Sequence, residues 1–395
     1  MKQDSFKYID SLAKPMWEMA DFIHDHPELG LQEVQAAQLL TDWLEAEGFK
    51  VERGFCHIPT AFRAVYEHGE GGINIGLLCE YDALEGLGHG CAHHMQGPAI
   101  IAAAAALKND INPYNYKITV IGTPAEETVS GKIMMINAGY DFTDLDFALM
   151  IHGDVATRTD KHSLALSKYT VTYHGHGAHA AVKPENGRSA LDALLLAFQG
   201  VEFLREHVTS DVRMHYIVNN CGGTPVNVVP AQAEGAFAIR AANSTNLKKV
   251  AERFKKVLQG AAMMTETTVD IAEDKTLDNK IPADFLNGLL MDNAHLVNAP
   301  KIGPTREKTG STDFGNVVHR IPGACLRMCF IDDDKAASHS QEYVEAGKLN
   351  LAHEAITTGA KILAGTAFDI LEKPECLTAI RQEFQQRLKE EQANN

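Results

Sequence analysis

Between residues 73 and 152, short apolar runs alternate with segments long enough to form helices. The runs are Ile73–Cys79, Tyr116–Gly122 and Phe147–His152, and turn-forming residues bound them. This alternation is typical of parallel strands that are joined by crossover helices, in a sheet covered on both faces. Because ligands bind beyond the carboxyl ends of such strands, the residues that follow each run are the first candidates for a functional site.

A different order of elements begins near residue 166. The segments predicted there are a strand (Lys168–His174), a helix (Ser189–His207), two strands (Val212–Val218 and Val226–Arg240), a helix (Leu247–Met264) and a strand (Thr268–Ala272). This order is a β-α-β-β-α-β unit, and 395 residues with 45% apolar side chains are enough for two domains. We therefore predict an inserted α+β lid domain over residues 166–274 and a main α/β domain made of residues 1–165 and 275–395.

The main domain is predicted to have a mixed, largely parallel central sheet flanked by helices. Before residue 72 the spacing of apolar residues is helical, and no strand is predicted there. The other predicted elements are two amphipathic helices, a buried helix, a buried strand and terminal helices, at Pro15–His26 and Leu31–Glu47, Pro98–Leu107, Ala324–Ile331 and Glu342–Leu371.

The composition favours a cytoplasmic protein that acts on small molecules. A formal net charge of -16 and a pI near 5.5 argue against nucleic-acid or anionic-membrane partners. The first ten residues lack the roughly 7–15 apolar residues of a secretory signal, and the longest small-apolar run, Pro98–Leu107, is about half of the roughly 20 residues that a bilayer span requires. Seven cysteines scattered along the chain fit reduced thiols better than a disulfide framework.

Side chains that can bind metal or transfer protons follow the apolar runs, but each has an ordinary structural explanation as well. Cys91 and His93 lie in the glycine-rich stretch GHGCAHH, which taken alone could be a polar turn. In the stretch TPAEE, Thr123 as N-cap, Pro124 at the first helical position and Glu126 at the third would form a capping box. Taken locally, these structural explanations are favoured over a functional site.

Two histidines farther along the chain are equally ambiguous when taken alone. His152 ends an apolar strand, as a core histidine would, and His339 lies in a polar segment typical of a surface or a helix N-terminus. Convergence favours a site, since all these residues are predicted at or beyond strand ends on one side of a sheet. The candidate metal ligands are Cys91, His93, Glu127, His152 and His339.

Thiolate, imidazole and carboxylate ligands together suit zinc, manganese, cobalt or nickel better than magnesium or calcium. Five ligands exceed one tetrahedral shell, so we predict two divalent transition-metal ions, about 3.5–4 Å apart, with Cys91 as the preferred bridge. A bound ion lowers the pKa of its water, and Glu126 is the predicted general base for the attack of that water on a carbonyl. Asp82 is either a hydrogen-bond partner of an imidazole ligand or an ordinary turn aspartate.

Seven stretches of the chain resemble the aminoacylase and carboxypeptidase superfamily of metallopeptidases, clan MH. They are LLCEYDALEGLGHGCAHH, GTPAEE, ALMIHG, GHGAHAAVKPENGRSALDALLLA, NNCGGTPVNVVPAQAEGAFAIRA, GSTDFGNV and HSQEY, in family order over about residues 20–370. The resemblance is to the amidohydrolase branch, which includes aminobenzoyl-glutamate hydrolase, hippurate hydrolase and β-alanyl dipeptidase-like proteins. It implies the same five metal ligands and the same catalytic base.

The resemblance also implies roles that spacing does not indicate. His179 resembles a lid-domain histidine that stabilises the oxyanion in the active site of the other subunit. Asn227 and Arg240 resemble a substrate-binding pair on the lid strands, Arg240 being suited to a carboxylate. A strand-end turn and a surface salt bridge are the alternatives. Gly310 and Ser311 belong to a loop that resembles the family's substrate-facing loop, and a homodimer through the lid domain is implied.

The chain departs from the family pattern beside the ligands. HGCAHH replaces the usual HACGHN or HACGHD, which puts His94 at the amide or acid position, and Glu85 replaces the proline of ALP. His94 could alter hydrogen bonding around the ligands, compete as a ligand or change the metal preference.

The sequence thus predicts a metal-dependent hydrolase that cleaves the amide bond of an N-acyl or aminoacyl amino acid, such as an aminobenzoyl-glutamate-like compound or a dipeptide. The alternative is a non-catalytic binding or scaffold protein that keeps the fold with an impaired metal site. Metal analysis of the purified protein separates the two hypotheses.

Overall fold

The computed structural model describes residues 2–110 and 113–393. Its strands are β1 (Lys50–Arg53), β2 (Phe62–His68), β3 (Ile73–Cys79), β4 (Tyr116–Gly122), β5 (Phe147–Asp154), β6 (Arg158–Ser163), β7 (Ala165–His174), β8 (Arg213–Asn220), β9 (Gln232–Ala241), β10 (Thr268–Leu277), β11 (Arg306–Thr309) and β12 (Gly323–Cys329). Its α-helices are α1 (Lys2–Ser11), α2 (Ala13–Asp25), α3 (Val34–Ala46), α4 (Gln96–Asn109), α5 (Gly131–Asn137), α6 (Ala190–Arg205), α7 (Ser244–Met264), α8 (Asp284–Leu296), α9 (Phe314–Val318), α10 (Gln341–Ala346), α11 (Asn350–Glu372) and α12 (Pro374–Ala393). Among the helices in the described residues, none combines the length and the apolar character needed to cross a bilayer.

The chain folds into two compact units. The larger unit contains the chain up to His162 together with Lys280–Thr309 and Asn316–Leu388. The smaller unit contains Ser163–Asn279, the short segment Gly310–Gly315 and the residues from Lys389 onwards. The larger unit is therefore assembled from both halves of the chain.

The larger unit is built on an eight-stranded mixed sheet with the order β1-β2-β4-β3-β5-β12-β6-β11. Its four central strands, β4, β3, β5 and β12, are parallel neighbours, whereas β1, β2 and β6 pair antiparallel nearer the edges. The predicted mixed sheet with helices around it is confirmed. Because the central strands are parallel, their carboxyl ends meet at one edge of the sheet.

The parallel strands are almost entirely apolar because helices cover them. β3 reads INIGLLC, and six of its seven residues are buried. Helix α4 packs against β3, β4 and β5, and all of Gln96–Leu107 is buried. The run of alanines in this helix lets its backbone approach the sheet closely. The buried helix predicted at Pro98–Leu107 is confirmed as part of α4.

The N-terminal part of the chain differs from the helical prediction. Helices α2 and α3 overlap the two predicted segments, but β1 and β2 form an antiparallel pair that joins the sheet beside β4. The prediction of a purely helical segment is wrong because β2 has only seven residues, and its burial alternates only from Phe62 to Val65, with Phe62 and Ala64 buried. So short an alternation is difficult to distinguish from a helical pattern.

The smaller unit has a four-stranded antiparallel sheet with the order β10-β7-β9-β8, against which α6 and α7 pack. Every second residue of β9 is buried, which is the two-residue repeat of a half-covered sheet. The predicted β-α-β-β-α-β order is confirmed. β9, however, begins at Gln232 and not at Val226, since Pro225 and Pro230 lack the amide hydrogen that a strand donates.

Gly359 sets how closely α11 approaches the strand that carries His152. A Cβ at Gly359 would lie 2.1 Å from Cδ1 of Ile151 and 3.3 Å from Cγ of Met328. We expect Gly359→Ala to lower the free energy of unfolding by about 1–3 kcal/mol through overpacking. In the control Gly288→Ala, in α8, no atom lies within 4 Å of the added Cβ, and the change should be neutral or stabilising by up to about 1 kcal/mol. Denaturant unfolding measures both, and equal effects would contradict this packing.

Candidate active site

The candidate ligands lie where the four parallel strands of the larger unit end. Cys91 and His93 lie after β3, Glu127 lies after β4, and His339 lies between β12 and α10. His152 is on β5 itself, two residues before the strand ends. Since parallel strands end at the same edge of a sheet, residues that are far apart in the chain are brought close together here.

Side-chain atoms of these residues come together in two groups that share one thiol. The two groups are Cys91, His93 and His152, and Cys91, Glu127 and His339. Within each group, one ligand atom of every residue lies within 4.8 Å of the others. Glu126 belongs to a further group with one member of each, His93 and Glu127. Cys91 is therefore placed to bind at two positions at once, and Glu126 lies beside both positions.

The donor set and the charge of this cluster fit divalent transition metals. Burial lowers the pKa of His93, but the carboxylates of Glu80 and Asp82 outweigh burial and raise that pKa to about 10. Burial, together with the neighbouring Glu127, raises the pKa of the Cys91 thiol. A cation bound here would balance the carboxylates and hold Cys91 as a thiolate. Thiolate, imidazole and carboxylate together are donors for zinc or a similar ion.

Asp82 orients one candidate ligand from each group. Its Oδ1 accepts a hydrogen bond from Nδ1 of His93 at 3.1 Å, and its Oδ2 accepts one from the backbone N–H of Glu127 at 2.9 Å. His152 is held in the same way, because its Nδ1–H donates to the carbonyl oxygen of Gly153 at 2.9 Å. A proton held at Nδ1 leaves Nε2 of each ring as the nitrogen that can bind metal.

Three residues at the site have left-handed backbone conformations, which are unfavourable for residues other than glycine. The angle φ is 58° at Ala92, 60° at Ala125 and 67° at His339. Such a conformation costs on the order of 1–2 kcal/mol per residue. Hydrogen bonds hold two of these residues, since Ala125 N–H donates to Oε1 of Glu33 at 2.7 Å and His339 N–H donates to the carbonyl oxygen of Gly90 at 2.9 Å. Specific contacts therefore maintain the strained loops.

The stretch TPAEE does not begin a helix. Residues 123–130 form a turn after β4, and α5 begins only at Gly131. The capping-box interpretation is therefore wrong, and the hydroxyl of Thr123 instead donates to the carbonyl oxygen of Cys79 at 3.1 Å. In this turn the side chains of Glu126 and Glu127 both reach the ligand cluster.

A buried ion pair that the sequence did not reveal lies beside His93. Nζ of Lys132 is 2.6 Å from Oε1 of Glu80, and both side chains are at most 2% exposed. The other oxygen of Glu80 accepts a hydrogen bond from Gln96 at 2.7 Å and lies 3.3 Å from Nε2 of His93. Burial alone would raise the pKa of Glu80, but Lys132 and His93 hold it well below its ordinary value. In the sequence, the position of Glu80 directly after an apolar run was a signal for a role at the site, whereas no pattern around Lys132 indicated one.

A second buried carboxyl group supports the turn that carries Glu126. Glu33 is fully buried. Besides the bond from Ala125, it accepts a hydrogen bond of 2.9 Å from the hydroxyl of Thr60. Burial raises the pKa of Glu33 to about 7. No local pattern points to this role, because Glu33 and Ala125 are 92 residues apart.

His94 and His89, in the stretch GHGCAHH, each donate a hydrogen bond to a backbone carbonyl oxygen. Among the described residues, neither histidine belongs to a group of candidate ligands. Nε2 of His94 donates to the carbonyl oxygen of Gly347 at 2.9 Å, and Nε2 of His89 donates to that of Ile23 at 3.0 Å. Burial and the neighbouring His89 hold the pKa of His94 well below its ordinary value, so the ring is neutral. The geometry thus favours a hydrogen-bonding role for His94.

The structure brings the residues expected to bind substrate together in two pairs within the smaller unit. His179 and Asn227 are exposed on neighbouring loops. The backbone N–H of Ala180, next to His179, donates to the carbonyl oxygen of Asn227 at 2.9 Å. Asn227 lies in the loop before β9, so its predicted place on a strand is wrong. Arg240, on β9, donates to the hydroxyl of Ser311 at 2.8 Å, next to the exposed Gly310.

Comparisons of sequence connect the chain to known hydrolases. Residues 165–263 match a family model described as the peptidase dimerisation domain of the M20 group. The Xaa-Arg dipeptidase of Mus musculus is 34% identical, over 100% of this chain and 94% of that protein. One of the subunits of p-aminobenzoyl-glutamate hydrolase from Escherichia coli is 32% identical, over 97% of this chain and 95% of that protein.

Solved structures share the fold. A putative aminohydrolase from methicillin-resistant Staphylococcus aureus has a TM-score of 0.78 at 18% identity, over 94% of this chain and 100% of that chain. A dinuclear metal-binding peptidase of the M20 family from Bacillus subtilis has a TM-score of 0.69 at 19% identity, over 92% of this chain and 99% of that chain.

The buried carboxyl group of Glu33 should make stability depend on pH. Because the fold raises its pKa from 4.5 to about 7, Glu33 stays protonated in the folded protein at pH values where the unfolded chain has lost the proton. The contribution of Glu33 to stability is thus fully present below about pH 4.5 and is lost as pH rises to about 7. Over this range the free energy of unfolding should fall by on the order of 1 kcal/mol per pH unit. Glu33→Gln, which cannot ionise, should gain stability relative to wild type over that range.

Thermal unfolding of wild type and variant between about pH 5 and pH 8 measures this difference. The exposed Glu354 offers a matched control, since Glu354→Gln should leave the pH dependence unchanged. A constant difference between wild type and Glu33→Gln at all pH values would contradict the raised pKa.

Proposed function

The chain belongs to the M20 family of peptidases and amidohydrolases, and on that basis we propose that it is a metal-dependent hydrolase of the amide bond in N-acyl or aminoacyl amino acids. The observation that carries the proposal is the pair of ligand groups that share Cys91, with Glu126 beside both. This arrangement offers two metal positions and one further carboxylate, as hydrolysis with two metal ions requires. The non-catalytic alternative lacks such support, because all five candidate ligands belong to these two groups.

The proposed mechanism assigns each residue a task that follows from its position. Two divalent ions, zinc or manganese with cobalt or nickel as further candidates, would polarise the amide carbonyl and lower the pKa of water at the site. The carboxylate of Glu126 takes a proton from the attacking water and passes it to the nitrogen of the leaving amine. Asp82 holds His93 and Glu127 in the orientation that binds metal.

Arg240 is the proposed partner of a substrate carboxylate. The hydroxyl of Ser311 accepts one of its N–H groups, which orients the planar guanidinium and leaves further donors for two carboxylate oxygens. The relatives described above are named for compounds that contain glutamate or arginine. We therefore propose a leaving group that is an amino acid with its α-carboxylate, contacted by Arg240, Asn227 and the loop at Gly310.

A hydrolysis screen tests the function. Metal-free protein is supplied in turn with zinc, manganese, cobalt or nickel, and assayed with p-aminobenzoyl-glutamate, Xaa-Arg dipeptides, β-alanyl dipeptides and N-acetyl amino acids. Each substrate is paired with its C-terminal amide, which lacks the carboxylate. The proposal predicts metal-activated cleavage that is strongest when the carboxylate is present. Failure to bind transition metal, together with no cleavage of any compound, would favour the binding or scaffold protein.

Glu126→Gln should separate catalysis from metal binding. Because the amide cannot accept the proton from water, we expect kcat to fall by about 10²–10⁴-fold, with metal content and thermal stability unchanged. Steady-state kinetics and elemental analysis measure the two effects. In the control Glu85→Gln, an exposed carboxylate before the ligand turn is neutralised, and kcat should stay within a few-fold of wild type. Undiminished turnover in Glu126→Gln would refute the assignment.

A homodimer through the smaller unit is part of the proposal. This unit contains the residues that match the dimerisation domain. Strand β8 is at the edge of its sheet, where Ile217 and Val218 are 63% and 48% exposed, and Phe203 on α6 is 70% exposed. An edge strand beside apolar side chains in water favours pairing with a second copy of the chain.

The family resemblance implies that His179 acts in the active site of the partner subunit. If it does, two inactive variants should restore activity to each other. His179→Ala removes the histidine, and Glu126→Gln removes the base. Each mixed dimer has one site with both residues, so random pairing of the co-expressed variants should recover about a quarter of wild-type activity. The separately purified variants are the control. A co-expressed sample no more active than the better single variant would contradict an exchange of His179 between subunits.

A further inference from the structure

His24 of α2 forms a cluster with two histidines of the ligand turn, which we define as residues 88–94. The ring centroid of His94 lies 4.8 Å from that of His24 and 5.2 Å from that of His89. Nε2 of each ring lies within 3.0 Å of a backbone carbonyl oxygen. The three acceptors belong to Val344 for His24, Ile23 for His89 and Gly347 for His94. Because a carbonyl oxygen only accepts, each Nε2 carries a proton and donates it.

The hydrogen bond from His94 joins two parts of the candidate metal site. Its acceptor, Gly347, directly follows α10, and α10 begins two residues after the candidate ligand His339. We name residues 339–347 the His339 segment. A second hydrogen bond joins the same parts, since His339 N–H donates to the carbonyl oxygen of Gly90 at 2.9 Å. The ligand turn is thus attached to the His339 segment at two points, one on each side of the candidate ligands.

The imidazole ring of His94 fills the space between the turn and the segment. His94 is completely buried. A Cβ at Gly347 would lie 2.8 Å from Cε1 of His94 and 2.7 Å from Cδ2 of His24, so both rings lie directly against the backbone at this point. The length of the His94 side chain therefore sets the separation of the two backbone segments. Cys91 is on one segment and His339 on the other, and the two belong to one ligand group.

We propose that His94 is a positioning residue for one of the two metal positions, the one lined by Cys91, Glu127 and His339. Its hydrogen bond to Gly347 fixes the separation between the Cys91 thiol and the His339 imidazole. The inference rests on the proposed function, since it requires that this position binds metal. His94 acts through the backbone and not as a ligand.

The two metal positions should respond differently to a change at His94. The position lined by Cys91, His93 and His152 lies between the ligand turn and β5, and none of its ligands is on the His339 segment. Loss of the hydrogen bond should weaken the position that contains His339 and spare the other. A general loosening of the core would not make this distinction.

A pair of matched variants, His94→Gln and His94→Asn, tests the hydrogen bond. The side-chain amide of Gln can place an N–H near the position of the imidazole Nε2, whereas Asn is one methylene shorter and falls short of Gly347. Metal-free protein is titrated with cobalt, and the affinity for each equivalent is measured. We expect two ions in wild type and in the Gln variant. The Asn variant should bind one ion as wild type does and the other about 10–100-fold more weakly.

His89→Ala is the second control, because His89 belongs to the same cluster but donates to Ile23 on α2 and not to the His339 segment. It should lower the melting temperature without changing the ratio of the two metal affinities. Wild-type affinity for both ions in the Asn variant would overturn the inference. It would also be overturned if the Asn and Gln variants lost metal affinity equally, or if His89→Ala lost as much affinity as the Asn variant. If the Asn variant does not fold, the Gln variant decides the test. Loss of one of its two ions would overturn the inference, and binding of both ions would support it. Fewer than two ions in wild type would contradict the proposed function itself.

Discussion

The position of one buried thiol, that of Cys91, determines the geometry of the whole candidate site. It lies within reach of both ligand groups only because four parallel strands end at the same edge of the sheet and place their loops together. In the protein without metal, the surrounding carboxylates raise the pKa of His93 to about 10, and burial raises that of the thiol. The fold thus concentrates acceptors and negative charge at a point that favours a bound cation.

Around these ligands lies a set of buried polar residues, each of which ties a ligand loop to the scaffold. Glu33 holds the strained turn before Glu126, Lys132 neutralises Glu80 beside His93, and His94 attaches the ligand turn to the His339 segment. A buried charge or polar group is costly unless it is paired, so these contacts persist only where the whole arrangement is formed. We infer that the stability of the larger unit and the geometry of the metal positions depend on the same contacts.

The features of this molecule that could be predicted from sequence are those with a local signature. β3 and β4 are mostly apolar and almost entirely buried, and their predicted limits are the observed ones. The interpretation of TPAEE as a capping box was wrong because turns and helix N-termini favour the same residue types. The partners of Glu80 and Ala125 are 52 and 92 residues away in the chain, so no spacing could reveal them. As a histidine, His94 could compete as a ligand, and only its hydrogen bond to Gly347 favours the proposed positioning role over that of a ligand.

The most direct test of the account is a titration of metal-free protein with cobalt, followed through the absorption band of the thiolate-cobalt bond. If Cys91 is shared by two metal positions, the protein should bind two equivalents, and both equivalents should change the thiolate band. Cys91→Ser should abolish the band and weaken both ions. Binding of a single equivalent, or a second equivalent that leaves the thiolate band unchanged, would contradict the shared thiol.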